Sequence, residues 1–131
     1  MFVRFAVPSF ESILDASDAF GSTHTPPVDV AENENETVVV AEVPGMSKES
    51  LKITLDQDLL TIAGERKAAT DPEKSRFVLR EQRTRSFVRS LRVGHLVDRA
   101  AVSASLENGL LRIVLPKAQE ARPQLIEVKV A

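Results

Sequence analysis

Asn108-Gly109 is the sequence feature that most constrains the fold of this chain. Both residues tolerate positive φ, which favours a two-residue turn between antiparallel strands. Residues 102–107 alternate apolar and polar side chains before this pair, and an apolar return strand follows over residues 110–115. The segment is therefore predicted to form a β-hairpin.

Similar short strand patterns fill most of the chain between residues 27 and 117. Further strands are predicted over residues 28–30, 37–43, 51–55, 60–64 and 87–93. Turn-forming residues separate these segments, and the sequence pattern contains no long amphipathic helix. Short strands with frequent turns predict an all-β, immunoglobulin-like antiparallel β-sandwich.

The length of the chain suits one domain with a tail at each end. The 131 residues match the size at which a single core is usually built. We expect an N-terminal arm over residues 1–26, a domain over residues 27–117 and a C-terminal extension over residues 118–131. Both tails are expected to be flexible.

Charge, cysteine content and hydropathy exclude several classes of protein. The 17 basic and 19 acidic residues give a net charge of −2, which argues against a nucleic-acid binder. The absence of cysteine excludes disulfides and thiolate metal sites. Arg4 and Pro8 interrupt the apolar N-terminus, so neither a signal peptide nor a membrane span is predicted. We expect a cytoplasmic protein without specific membrane binding.

The chain carries no recognisable catalytic or cofactor motif. His24 and His95 lie in separate predicted turns without metal-ligand spacing. The acidic run over residues 32–36 is interpreted as a solvated turn rather than a metal cluster. No glycine-rich phosphate loop is present. The expectation is a protein that is not an enzyme and has no cofactor, metal or small-molecule substrate.

The N-terminal arm concentrates aromatic residues. Four of the six phenylalanines fall in the first 20 residues, and Ser9 is placed to cap a short helix. Either this helix packs onto the domain, or the arm is a surface for partners or self-association. The second interpretation is favoured, and its residues are Phe2, Phe5, Phe10, Ile13, Leu14 and Phe20.

The C-terminal extension ends in a lone alternating segment. Ile126, Val128 and Val130 share one face after a polar tether. The segment is either one more strand of its own sheet or a peptide that docks into a groove. The second interpretation is favoured, with Ile126 and Val128 as the anchor.

Several motifs occur in an order that resembles one family. Ala104-Ser-Leu-Glu-Asn-Gly-Leu-Leu is similar to an A-x-x-x-x-G-V-L signature, and Val43-Pro-Gly and Phe87-Val-Arg-Ser-Leu-Arg-Val also have counterparts. Ile126-Glu-Val resembles an I-x-I/V tail anchor. Together they resemble the bacterial and plant branch of the small heat-shock proteins, whose sandwich is the α-crystallin domain. Two features depart from the family: Gly94 stands where proline is usual, and the arm is short.

The resemblance implies a docking groove and a dimer interface. The implied groove residues are Leu51, Ile53, Leu55, Val102, Ala104 and Leu106, although a core face would explain the same alternation. A neighbouring chain's tail anchor would dock there. The implied dimer interface contains Val28, Val30, Phe77, Val78, Leu79 and Arg89, with residues 77–79 swapped onto the partner's first strand.

Arg89 shares the face of Phe87 and Leu91, which is otherwise apolar. A buried arginine is costly unless it is paired, so an acidic partner across the dimer is expected. A local twist that brings Arg89 to solvent is the alternative. The basic run from Lys74 to Arg85 has one interleaved aromatic residue, so a solvated loop is favoured over a nucleic-acid surface.

The resemblance implies an ATP-independent holdase that binds non-native client proteins and prevents their aggregation. It would work as a homodimer that builds higher homo-oligomers, without nucleic acid. Three alternatives remain: a co-chaperone-like module that binds one folded partner, a structural assembly protein, and a nucleic-acid binder.

Overall fold

A computed structural model describes residues 3–4 as backbone, and residues 25–67, 70–71, 73–82 and 86–130 in full. Eight strands lie within these residues: β1 Val3–Arg4, β2 Val28–Glu32, β3 Glu36–Glu42, β4 Leu51–Asp56, β5 Leu59–Glu65, β6 Ser86–Arg92, β7 Ser103–Glu107 and β8 Leu110–Pro116. Three short 3-10 helices connect them: η1 Lys48–Ser50, η2 Arg99–Ala101 and η3 Gln119–Ala121.

The strands form two four-stranded sheets. The first has the order β1-β4-β5-β6 and the second has the order β2-β3-β8-β7. All neighbours are antiparallel except β1 and β4, which are parallel. β3, from the first half of the chain, pairs with β8, the last strand. The predicted all-β antiparallel sandwich is confirmed, whereas β1 was not predicted.

Left-handed backbone conformations close the tight turns. Asn108 and Gly109 have φ of 52° and 76° between β7 and β8, which confirms the predicted hairpin. Gln57, with φ of 52°, joins β4 to β5, and Gly45, with φ of 75°, follows β3. At the two hairpin turns, positive φ reverses the chain while the strands on either side stay paired.

The core lies between the sheets and is almost wholly aliphatic. β4 and β5 contribute side chains from one sheet, and β3 and β8 contribute them from the other. The fully buried large side chains are Val39, Val43, Ile53, Leu55, Leu60, Ile62, Leu111, Ile113 and Leu115. Each such side chain stabilises the fold by about 1.5–3 kcal/mol. Phe87 is the one aromatic side chain among the buried residues that the structure describes.

Two long segments lie outside the sheets. The described residues between β5 and β6 form no strand, as the polar sequence of that loop predicts. Residues 123–130 pair with neither sheet. The interpretation of the tail as another strand of its own sheet therefore does not describe this structure.

Candidate docking surfaces

A depression of about 470 Å³ lies between β7 and the segment that precedes β4. One wall is formed by the turn that leads into β4, with Ser47, Lys48 and Glu49. The other wall is part of β7, with Ala104, Ser105 and Leu106. A shallow site with charged side chains on one rim and apolar ones on the other suits an extended peptide better than an enclosed small molecule.

The six predicted groove residues fall into two sets. Leu51, Ile53 and Leu55 belong to the buried core beneath β4. Ala104 and Leu106 on β7, and Val102 just before it, are half-buried and pack against that core. In the single chain, only the side chains of this second set are accessible to a docking partner. The role of all six in a groove stays a prediction.

The rim helix η1 is fixed by its own polar groups. Ser47 caps it, and the Ser50 hydroxyl donates to the Ser47 carbonyl oxygen at 2.8 Å. A hydrogen bond from the backbone N–H of Glu49 lowers the pKa of the Glu49 carboxyl. Since this carboxyl stays ionised at neutral pH, the rim presents one positive and one negative side chain, Lys48 and Glu49.

The outer edge of β4 has two covers. β1 pairs with its centre, with Val3 opposite Ile53 and Arg4 opposite Thr54. Towards the C-terminal end of β4, Arg99 of η2 donates from Nη1 to the Leu55 carbonyl at 3.2 Å. Neither cover was predicted from the sequence.

The C-terminal tail exposes the predicted anchor. Ile126 and Val128 are 83% and 87% exposed, and Leu125 and Val130 are also fully accessible. The root of the tail is held, because Arg122 Nε donates to the Lys117 carbonyl at 3.2 Å. The tail thus presents apolar side chains that the single chain does not bury, which is unfavourable unless a partner covers them.

Four of the six predicted dimer residues are exposed, whereas Val28 is half-buried and packs against the core. β2 is an edge strand, and its Val30 is 55% exposed. Phe77, Val78 and Leu79 are exposed in the loop before β6, where the Arg80 guanidinium lies 4.7 Å from the centre of the Phe77 ring. Their role in a dimer stays a prediction.

Arg89 is half-buried on β6 and makes a different contact from the one expected. Its Nη1 donates to the Pro26 carbonyl at 3.1 Å, which ties β6 to the residues just before β2. This bond is to a backbone carbonyl and not to an acidic side chain. The acidic partner expected across a dimer stays a prediction. The acceptor is a backbone carbonyl, which no side-chain pattern could have revealed.

A second cavity of about 400 Å³ lies next to this contact. Its apolar walls include Pro26, Met46 and Phe87, and its polar groups include Glu42 and Arg66. Sequence reasoning missed this cavity, because its walls come from the ends of several strands and carry no common motif.

The opposite end of the second sheet is closed by polar contacts. Lys117 Nζ lies 2.8 Å from a carboxylate oxygen of Glu32, and this hydrogen bond and charge lower the pKa of Glu32. The Thr37 hydroxyl, which is buried, bonds His95 Nε2 at 2.7 Å. Asn33 Oδ1 accepts the Asn35 and Glu36 backbone N–H groups, so the acidic run over residues 32–36 contains a tight turn. These contacts are structural.

The six predicted arm residues, and His24, lie outside the described residues. Within the described ranges, no group of three His, Asp or Glu side chains is arranged to hold a metal ion. No helix in the same ranges is long and apolar enough to cross a membrane.

Two four-stranded sheets packed around an aliphatic core define the chain as a β-sandwich. The model of the Hsp20/alpha crystallin family matches residues 29–131. The chain therefore belongs to the small heat-shock protein family, whose members are non-enzymatic chaperones. The resemblance of the sequence motifs is confirmed.

Individual relatives agree with this assignment. A 17.3 kDa class II heat shock protein of Solanum peruvianum is 34% identical over 109 residues, which cover 80% of this chain and 70% of the relative. Small heat shock protein C4 of Rickettsia felis is 29% identical over 104 residues, or 79% of this chain. That match spans 64% of the length of the Rickettsia protein.

Solved structures share the fold. Heat shock protein 16.0 from Schizosaccharomyces pombe superimposes with a TM-score of 0.68 at 29% identity, covering 82% of this chain and 85% of that one. A small heat-shock protein from Xylella fastidiosa, described as having a distinct high order structure, gives a TM-score of 0.66 at 30% identity. That comparison covers 83% of this chain and 100% of the Xylella chain.

Proposed function

We propose that this protein is an ATP-independent holdase that binds unfolding proteins in the cytoplasm and prevents their aggregation. The observation that carries the proposal is that the chain has both an exposed apolar tail and a half-buried apolar face on β7. A chain that keeps side chains such as Ile126 and Val128 in water has apolar surface available for reversible contacts. Family membership supports the chaperone class.

The tail is proposed as a latch between copies of the chain. Ile126 and Val128 of one copy dock against Ala104 and Leu106 of another, in the depression between η1 and β7. Each aliphatic side chain contributes about 1.5–3 kcal/mol when buried, and ordering the tail offsets part of this gain. The resulting contact is weak, which allows subunits to exchange and apolar surface to open for clients.

The building block is proposed to be a homodimer. Residues 77–79 of one chain add to the free edge of β2 in its partner, beside Val30. Unpaired backbone groups on an edge strand favour this kind of addition. Arg89 lies close to the start of β2, where an acidic side chain of the partner would pair with it.

Clients are proposed to bind the N-terminal arm through Phe2, Phe5, Phe10, Ile13, Leu14 and Phe20. This assignment rests on the apolar sequence of the arm and on family membership. No nucleotide, nucleic acid, membrane or small molecule takes part in the proposed cycle.

The test is to heat a thermolabile client enzyme with the protein, without nucleotide, and to follow light scattering. We expect scattering to be suppressed at near-equal subunit ratios, and to return when residues 1–20 are deleted. Unchanged scattering across several clients and temperatures would overturn the holdase proposal and favour a structural assembly protein.

The latch is tested separately by size-exclusion chromatography with multi-angle light scattering. Ile126→Ala/Val128→Ala should shift the protein to smaller species. Glu127→Ala/Lys129→Ala is the matched control, because these residues lie in the same tail on the opposite face. Equal mass for all three proteins would show that the tail is not a latch.

A further inference from the structure

Met46 carries one of the two sulfur atoms in the chain. The sequence holds two methionines, Met1 and Met46, and no cysteine. Thiols and thioethers are the side chains that peroxides oxidise most readily in two-electron steps. Such an oxidant therefore finds sulfur at these two positions alone, and Met46 is the one that lies within the described residues.

A turn places the Met46 side chain against the core. Gly45, with φ of 75°, lies in the turn after β3, and the Met46 N–H donates to the Val43 carbonyl at 3.3 Å. The Met46 side chain is half-buried and packs against the buried core cluster. One side of this residue is thus fixed by the interior of the sandwich.

The sulfur lies in the space that Gly64 leaves beside β5. A Cβ on Gly64 would be 2.9 Å from Met46 Sδ. The same point is 2.9 Å from Leu51 Cδ2 and 2.7 Å from Phe87 Cε1. Both Leu51 and Phe87 are buried. A thioether suits this place, because it is flexible and makes favourable contacts with aromatic rings.

Met46 also lines the cavity of about 400 Å³ described above. Its polar lining groups include Glu42, Arg66 and Gln82, so the cavity suits water and small polar molecules. A water molecule takes about 30 Å³ in the liquid, and hydrogen peroxide is only slightly larger. The cavity is therefore a route by which peroxide reaches the Met46 side chain.

We propose that Met46 is an oxidation site through which peroxide loosens the packing of the domain. A sulfur lone pair attacks one peroxide oxygen, the S–O bond forms as the O–O bond breaks, and the other oxygen leaves as water after proton transfer. Sulfur loses two electrons and the peroxide gains them, which gives methionine sulfoxide. This inference goes beyond the proposed function and does not depend on docking of the tail.

The sulfoxide does not fit the place that the thioether holds. Its oxygen is a polar acceptor, and the side chains of Leu51 and Phe87 offer it no hydrogen-bond donor. Either the oxygen stays there unpaired, or the side chain turns into the cavity and leaves a void beside Gly64. Both outcomes weaken the contacts between the turn after β3 and the strands β5 and β6. Oxidation thus loosens the same sandwich that heat unfolds.

The test treats the full chain with hydrogen peroxide and measures oxidation of Met1 and Met46 separately by peptide mass spectrometry. Thermal unfolding at one fixed protomer concentration gives the Tm of the same samples. We expect Met46 sulfoxide to form and to lower the Tm by roughly 5–20 °C, because it leaves a polar group unpaired among buried side chains. Treatment with both methionine sulfoxide reductases should restore the Tm.

Two variants assign the effect to this sulfur. Met46→Leu is the matched control, because it nearly conserves volume and cannot form a sulfoxide. Its Tm should not change with peroxide, although Met1 is still oxidised. Met46→Gln places a polar group at the same point and should lower the Tm without peroxide.

Three results would overturn the inference. Met46 that stays unmodified at a peroxide concentration that fully converts Met1 would show that the cavity does not admit the oxidant. Met46 sulfoxide with an unchanged Tm would show that the packing tolerates it. An equal loss of Tm in Met46→Leu would place the effect at another residue. Suppression of client scattering by the untreated protein is a separate readout, so the proposed function is tested independently.

Discussion

Gly64 on β5 is a position where one added methyl group should be costly. An ideal Cβ there would lie 2.7 Å from Phe87 Cε1 and 2.9 Å from both Leu51 Cδ2 and Met46 Sδ. Real Cβ contacts are longer than 3.0 Å, and both Leu51 and Phe87 are buried. Overpacking of this kind costs about 1–3 kcal/mol. Because each kcal/mol shifts the Tm of a domain of this size by roughly 4–8 °C, Gly64→Ala should lower the Tm by roughly 5–20 °C.

The assay is thermal unfolding followed by circular dichroism at one fixed protomer concentration, since assembly also affects the Tm. Gly94→Ala is the matched control, because no atom lies within 4 Å of the position its Cβ would take. The control should leave the free energy of unfolding unchanged or raise it by about 0.4–1 kcal/mol, because alanine restricts the unfolded chain more than glycine does. Equal Tm values for both variants would show that β5 and β6 are not packed as closely as described.

Three further predictions follow from local contacts. Gly109→Ala should lower the free energy of unfolding by about 1–2 kcal/mol in urea titrations, because φ there is +76°. His95→Ala should lower the free energy of unfolding by about 1–3 kcal/mol in the same titrations, because it leaves the buried Thr37 hydroxyl without this hydrogen-bond partner. Adding Thr37→Val should recover part of that loss, and no recovery would contradict the reasoning. Lys117→Ala should flatten the acid dependence of the Tm. The lowered pKa of Glu32 gives stability that is present above the ordinary glutamate pKa and is lost as pH falls through the folded value. Identical plots of Tm against pH for Lys117→Ala and the unmodified protein, from pH 7 to pH 3, would refute a stabilising role for the Lys117–Glu32 pair.

Alternation and turn chemistry made most of the sandwich predictable. In β4, Leu51, Ile53 and Leu55 alternate in the sequence and are buried in the structure. The inward-facing side chains of β3 were harder to predict, because its three consecutive valines do not alternate with polar residues. The structure buries Val39 and leaves Val38 and Val40 half-buried. Register with neighbouring strands, rather than composition, decides which side chains of such a run point inward.

The parts that could not be predicted depend on backbone acceptors. Arg89 bonds the Pro26 carbonyl, and Arg99 bonds the carbonyls of Leu55 and Gln57. Every residue carries a carbonyl, so no side-chain pattern indicates which one an arginine will find. β1 was missed for a related reason, since two residues are too few to show a periodicity.

The pairing of β3 with β8 has a consequence for how the chain is made. β2 and β3 leave the ribosome early, but the inner edge of β3 has no partner until β8, the last strand, has been synthesised. Closing so large a loop is slow, because its entropy must be lost before the contacts form. During that interval the growing chain presents an unpaired valine-rich edge. We therefore expect the chain to be prone to aggregation while it is being synthesised.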